Sequence, residues 1–237
     1  MALSDELEKK INSYQPSQAA KDVAAQTRFL LVAGPAGSGK NSVIRELLKS
    51  DDYAYIVSHT TRKPRPNEEH GRNYYFIDEA TMASMADEKQ LVEAETIYGE
   101  YASGTSISAV REVKDSGKIG VTDIDVAGAE TYMKLNPNTR AVFILPPSYE
   151  EWVRRLAQRG SGESQDEIKR RLENAQVWLE KALASGYWHF VINTDLKKAV
   201  DDITAFASSP KAELPAGDTR VEHAWHVLGE LKKQLNS

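Results

Sequence analysis

Short apolar runs alternate along the chain with stretches whose apolar residues recur every three or four positions. The first run, 28–33 (RFLLVA), is closed by a glycine-rich turn and predicts a buried strand. The segment 39–50 carries Val43, Ile44, Leu47 and Leu48 at helical spacing and predicts a helix. The same alternation predicts strands over 53–57, 91–97, 100–105, 118–123, 141–145 and 189–193. It predicts helices over 79–88, 107–116, 126–135, 149–158, 166–185 and 196–208. Strands that alternate with helices make an α/β fold with a parallel sheet covered on both faces. Residues 1–27 are polar and alanine-rich, and are expected to form one or two short helices outside the main domain, 28–209. Residues 210–218 resemble a linker. In 219–235, Val221, Ala224, Trp225, Leu228 and Leu231 fall on one helical face, which is expected to dock on the body or on a second copy, as in a homodimer. No internal repeat or low-complexity tract interrupts this plan.

The chain has 237 residues, 41% of them apolar, enough for one sizeable core with appendages. Its net charge is −5, so the surface as a whole does not attract nucleic acid, and an anionic substrate needs local cationic sites. There is no cysteine, which excludes disulfides and thiolate chemistry and fits a reducing compartment. No apolar run approaches a membrane span, and the charged start of the chain lacks the apolar centre of a secretion signal. The expectation is a cytoplasmic protein without a membrane partner.

Between the first predicted strand and the first predicted helix stand Gly34, Pro35, Ala36, Gly37, Ser38, Gly39 and Lys40. This is Gly-x-x-x-x-Gly-Lys in the strand–turn–helix context that the pattern requires. The glycines let backbone N–H groups point at phosphate oxygens, the helix N-terminus favours negative charge, and Lys40 brings a mobile cation to the β- and γ-phosphates. The position after the lysine, normally Ser or Thr and a Mg²⁺ ligand, is Asn41. An amide oxygen can ligate a hard cation, so Asn41 either substitutes as ligand or marks a weakened metal site. Ser42 points about 100° away around the helix and is a poor direct replacement.

The stretch from Ser58 to Tyr74 places Arg62 and Arg65 three apart, with Pro64 holding the loop extended, so that both can clamp one phosphate. Tyr74 can add a hydrogen bond, and Glu68 can pair with an arginine and hold it. The run reads Ser-x-Thr-Thr-Arg-x-Pro-Arg-x-x-Glu-x-x-Gly-x-x-Tyr, and it closely resembles the nucleoside-monophosphate segment of guanylate kinases. Further matches follow in order: Leu91-Val-Glu93, Tyr98-Gly-Glu-Tyr101 with Gly104-Thr105, Asp123-Ile-Asp125-Val-Ala-Gly128, Leu145-Pro-Pro-Ser148, Arg155-Leu-Ala-Gln-Arg159-Gly, Lys169-Arg-Arg171-Leu and Val191-Ile-Asn193. The resemblance runs from about residue 29 to 207 and leaves the termini uncovered.

The resemblance implies a P-loop three-layer α/β/α fold with a small mixed α+β GMP-binding subdomain, about 58–105, and a helical lid, about 155–171. It implies ATP and GMP as substrates with Mg²⁺. Arg62, Arg65 and Tyr74 would grip the GMP phosphate. Glu93 would read guanine, and Ser58, Thr105 and Asp125 would complete the base pocket. Arg155, Arg159 and Arg171 would stabilise the transferring phosphoryl group, and a hinge at 160–164 would let the lid close. Asn193 would lie near the ATP base. Asp123, at a strand end, either holds Mg²⁺ through water or caps the following helix. The family's Tyr-Tyr-Gly is replaced by Tyr101-Ala102-Ser103-Gly104, one residue longer, so a second phosphate-binding tyrosine is missing: either affinity for GMP is weaker or Ser103 contributes in its place. The competing reading, a guanylate-kinase-like binding or protein-interaction module, draws its support from Asn41; the retained Lys40 and arginines argue against it. If Asn41 is a ligand, Asn41→Ser changes the Mg²⁺ dependence of turnover, and identical metal titrations for the two proteins would count against that role.

Overall fold

The computed structural model describes residues 3–65, 68–97, 99–159, 165–209 and 218–235, without the side chains of 159 and 165–167. The interior strands are almost continuously apolar. Strand β1 (Phe29–Ala33) is buried at all five positions, as expected of a parallel strand with both faces covered. With β2 (Tyr53–Tyr55), β7 (Ile119–Asp123), β8 (Arg140–Leu145) and β9 (His189–Ile192) it forms a parallel five-stranded sheet in the order β2-β7-β1-β8-β9. A second sheet holds β3 (His59–Thr60), β4 (Tyr75–Phe76), β5 (Leu91–Ile97) and β6 (Tyr101–Ser106) in the order β4-β3-β6-β5. Here β3 runs antiparallel to β6, and β6 antiparallel to β5. The fold class is the α/β class expected from the alternation.

Contacts divide the chain into two units. The first comprises Met1–Phe29, Asp51–Thr122 and Ala127–Thr139. It includes helices α1 (Asp5–Asn12), α2 (Gln18–Ala25), α4 (Glu79–Asp87) and α5 (Ile107–Ser116), and most of α6 (Val126–Leu135). Several of its helices begin on side-chain caps: Ser4, Ser17, Asp78 and Ser106 each accept a hydrogen bond from a backbone N–H in the first turn of the helix that follows. The N-terminal helices do not pack outside this unit. Leu3, Leu7 and Ile11 are buried in one cluster with Met82, Ala86, Leu91 and Ala102. Helix α2 packs on α5, and the Asn136 amide ties its end down by donating to the Ala24 and Thr27 carbonyls at 3.1 and 2.8 Å. The polar, alanine-rich composition concealed how much of α1 is core.

The second unit comprises Leu30–Ser50, Asp123–Val126 and Arg140–Ser237. Helix α3 (Lys40–Leu47) packs on α9 (Leu196–Ser208). Helix α10 (Thr219–Leu235) packs on β9, on α7 (Tyr149–Arg159) and above all on α8 (Gln165–Ser185). At its start Arg220 bridges Asp202 at 2.9 Å and Asp218 at 2.7 Å, beside His189, whose ring stacks on Phe206 with centroids 4.2 Å apart. Of the two expectations for α10 the structure shows docking on the body, with Trp225 left 56% exposed. The expected hinge, 160–164, and all but the last residue of the expected linker lie outside the described residues.

Because Ile11 is 2% exposed in the α1 cluster, Ile11→Ala should lower unfolding stability by about 2–4 kcal/mol in chemical denaturation. A helix merely appended to the surface would change it by less than about 0.5 kcal/mol.

Candidate active site

The glycine-rich turn between β1 and α3 takes its shape from backbone that only glycine tolerates. Gly34, Gly37 and Gly39 have φ of 141°, 84° and 98°. A Cβ on Gly34 would stand 2.4 Å from the Ile144 carbonyl oxygen, and one on Gly39 would stand 2.1 Å from Asn193 Nδ2. The loop is held from outside by two side chains. Trp152 Nε1 on α7 donates to the Ala36 carbonyl at 2.7 Å, and Asn193 Nδ2, after β9, donates to the Ser38 carbonyl at 2.8 Å. Asn193 thus braces the loop with the donor expected near a base. Lys40 Nζ donates to the Gly34 carbonyl at 2.6 Å and lies 4.0 Å from Asp123 Oδ1. Asn41 and Ser42 are exposed on the first turn of α3.

In the same unit Glu151 organises the arginines of α7. It takes Arg154 Nε at 2.6 Å and Arg155 Nε at 2.8 Å, and Arg155 Nη2 reaches the Asn193 carbonyl at 3.4 Å. Hydrogen bonds from Arg154 and then Arg155 hold the Glu151 carboxyl down at about 2. Arg171 sits half-buried on α8. The Arg159 side chain is outside the described set, and Pro35 is buried in the loop. Asp125 also falls in this unit, half-buried beyond the end of β7.

The first unit carries the arginine loop and the candidate base pocket. Arg62 and Glu68 form a two-pronged pair, Nη1–Oε2 2.6 Å and Nη2–Oε1 2.8 Å. Glu68 also accepts the Arg65 backbone N–H at 2.8 Å, so this carboxylate shapes the loop that presents both arginines. The Arg62 guanidinium lies 5.0 Å from the Tyr74 ring centre and 5.5 Å from that of Phe76. Burial opposes ionisation of Glu68, but the bonds from Arg62 and Arg65 outweigh it and the carboxyl titrates below its ordinary value. Arg65 is exposed.

On the four-stranded sheet, Glu93 pairs with Thr105 across β5 and β6, which puts both side chains on one face. Thr105 Oγ1 donates to Glu93 Oε1 at 2.7 Å and lies 2.9 Å from Ser58 Oγ. All three residues are buried, Glu93 to 5% exposure. Ser103 Oγ donates to the His59 carbonyl at 3.2 Å. Two further tyrosines lie near these groups. Tyr132 of α6 is fully buried, and its phenol is pushed far up by burial and by the nearby Glu93 charge. Tyr101 lies close enough to Arg62 to favour its charged form. Tyr132 had no signal beyond an aromatic in a helical pattern; Tyr101 was in view only as part of the altered Tyr-Ala-Ser-Gly stretch.

The guanylate kinase family model matches residues 26–209, more than three quarters of the chain. This protein belongs to the guanylate kinase family. A guanylate kinase of Corynebacterium efficiens is 38% identical over 181 residues, covering 75% of this chain and 93% of its own. That of Escherichia coli is 37% identical over 182 residues, covering 76% and 86%. The crystal structure of guanylate kinase from Anaplasma phagocytophilum shares the fold, with a TM-score of 0.60 at 23% identity over 78% of this chain and 88% of that one.

Glu68 ionises below its ordinary value of 4.5, so its pairing stabilises the fold fully above that pH and loses its effect as pH falls through the lowered value. The urea midpoint of Glu68→Gln should therefore lie below wild type at pH 7, and the gap should close with acidification below 4.5. A constant gap would assign the pair no role in the acid limb.

Proposed function

We propose that this protein transfers the γ-phosphoryl group of ATP to GMP, giving ADP and GDP. The observation that carries the reading is the buried carboxylate of Glu93, bonded to Thr105 on the sheet that also supports the Arg62–Glu68 pair. A carboxylate offers two acceptors to the adjacent N1–H and 2-amino donors of guanine, and adenine presents neither. Arg62, Arg65 and Tyr74 supply the charge and hydrogen bond for the GMP phosphate. Glu68 keeps Arg62 in place before the substrate arrives. Ser58 and Thr105 supply hydroxyls beside Glu93, and Asp125 is the further residue that the family pattern assigns to guanine.

For ATP, the loop from Gly34 to Ser42 cradles the phosphates and Lys40 follows the β- and γ-phosphates. Arg155, Arg159 and Arg171 meet the charge that spreads over the equatorial oxygens during transfer. The chain's part is therefore positioning, charge stabilisation and exclusion of water, with no covalent intermediate. Mg²⁺ is the cation that such a transfer uses. Asp123 is one carboxylate beside Lys40, and Asn41 one exposed amide on the next turn position; together they fit a metal that keeps most of its ligands from phosphates and water. When bound, Mg²⁺ would neutralise phosphate charge. Among the described residues no helix is long and apolar enough to cross a membrane; a cytoplasmic setting suits an enzyme that draws on ATP and GMP. Trp225 on the open side of α10 is the surface we assign to a homodimer.

A coupled assay of ADP production should show turnover with GMP and little with AMP, CMP or UMP. Glu93→Gln should lower kcat/KM for GMP on the order of 100-fold. Turnover with GMP that is indifferent to this change would remove the base-reading role.

A further inference from the structure

Strand β5 is an edge strand, so one row of its backbone groups has no neighbouring strand. The N-terminal segment covers that edge along its length. Tyr14 Oη donates to the Leu91 carbonyl at 2.7 Å and accepts the Leu91 N–H at 3.2 Å, so one hydroxyl satisfies both backbone groups of one residue. Further along, Thr96 Oγ1 donates to Asn12 Oδ1 at 2.9 Å, and Leu3 N donates to the Gly99 carbonyl at 3.2 Å. Before the strand, Lys89 takes an uncommon left-handed φ of 56°, places Nζ 4.9 Å from the Tyr14 ring centre and donates to the Gln15 carbonyl at 3.2 Å.

What makes the Leu91 contact matter is the irregularity that follows it. The β5–β6 register shifts between Leu91 and Glu93. Such a shift re-aims the next side chain and weakens the local ladder. The direction of the Glu93 carboxylate therefore depends on how each side of the bulge is anchored. Thr105 holds one side and the Tyr14 hydroxyl holds the other. None of residues 3–25 falls in the segment matched by the family model.

We propose that Tyr14 is a positioning residue for purine recognition, fixing the bulge that aims Glu93 into the base pocket. This rests on the reading of Glu93 as the residue that identifies guanine. Burial, with the Glu93 charge adding to it, keeps the phenol protonated above its ordinary range, so the donor to Leu91 persists at working pH.

The test is Tyr14→Phe in the full chain, which removes the hydroxyl and keeps the ring. KM for GMP should rise about fivefold, the net worth of one hydrogen bond, with kcat within about twofold and KM for ATP unchanged. Selectivity for GMP over inosine monophosphate, which lacks the 2-amino group, should fall about threefold, since a misaimed carboxylate loses part of one bond. KM and the selectivity ratio do not depend on the folded fraction, so partial unfolding cannot imitate either change. Lys10→Met, which cuts only the exposed α1–α4 ion pair with Asp87, should leave both constants unchanged. A Tyr14→Phe protein with a lowered melting temperature but wild-type KM and selectivity would overturn the proposal. Glu93→Gln measured alongside separates the two readings. If it too leaves selectivity intact, base reading by Glu93 fails and the proposal falls with it; if it alone loses selectivity, only the role of Tyr14 fails.

Discussion

An acidic chain that handles two polyanions must keep its few site cations charged, aimed and available. For Arg62 in one unit, and for Lys40 and Arg155 in the other, this is done by placing a carboxylate beside the cation. Glu68 grips Arg62 with both oxygens, Glu151 gathers Arg154 and Arg155, and Asp123 stands 4.0 Å from Lys40. For Arg62, Arg155 and Lys40 the pair lowers the cost of holding a cation in a partly buried place without a ligand. Each also fixes a long side chain that would otherwise lose its rotamer freedom only on binding. The carboxylates therefore prepare the site, while the phosphates complete it.

The same logic governs the neutral scaffolding. The phosphate loop spends its glycines on backbone shape, and beyond the Lys40 bond to the Gly34 carbonyl it is held by side chains from elsewhere. Trp152 and Asn193, more than a hundred residues away in sequence, supply those bonds. The base pocket is supported in a comparable way: Glu93 leans on Thr105, Thr105 on Ser58, and the bulge before Glu93 on an N-terminal tyrosine.

Much of this could be read from the sequence because the signals were local. The strand–glycine turn–helix arrangement at Gly34–Lys40 needs only neighbouring residues, and the spacing of Arg62, Arg65 and Glu68 is that of one loop folding on itself. The helices at Ile107–Ser116 and Val126–Leu135 have the ends that their periodicity indicated. What was not legible came from far along the chain. Strands β3 and β4 are two residues each, too short for any alternation to register. Helix α1 offers just Leu7 and Ile11 to the core among eight residues, and nothing local tells that Leu91 and Ala102 lie against them. Tyr14 and Tyr132 carried no local signal, because what they do depends on partners far along the chain: Tyr14 bonds Leu91, and Tyr132 is buried near Glu93.

The bond from the Trp152 indole to the Ala36 carbonyl has an optical side. The indole is 1% exposed and its nitrogen bonds the candidate phosphate loop. A shift of that carbonyl alters the field at the ring, and with it the colour and yield of its emission. Of the other three tryptophans, Trp188 is sealed in the core, Trp178 is half-buried on α8 and Trp225 stands on the open face of α10. The protein thus carries a native fluorophore wired to its own phosphate loop, and occupancy can be followed by light without any label.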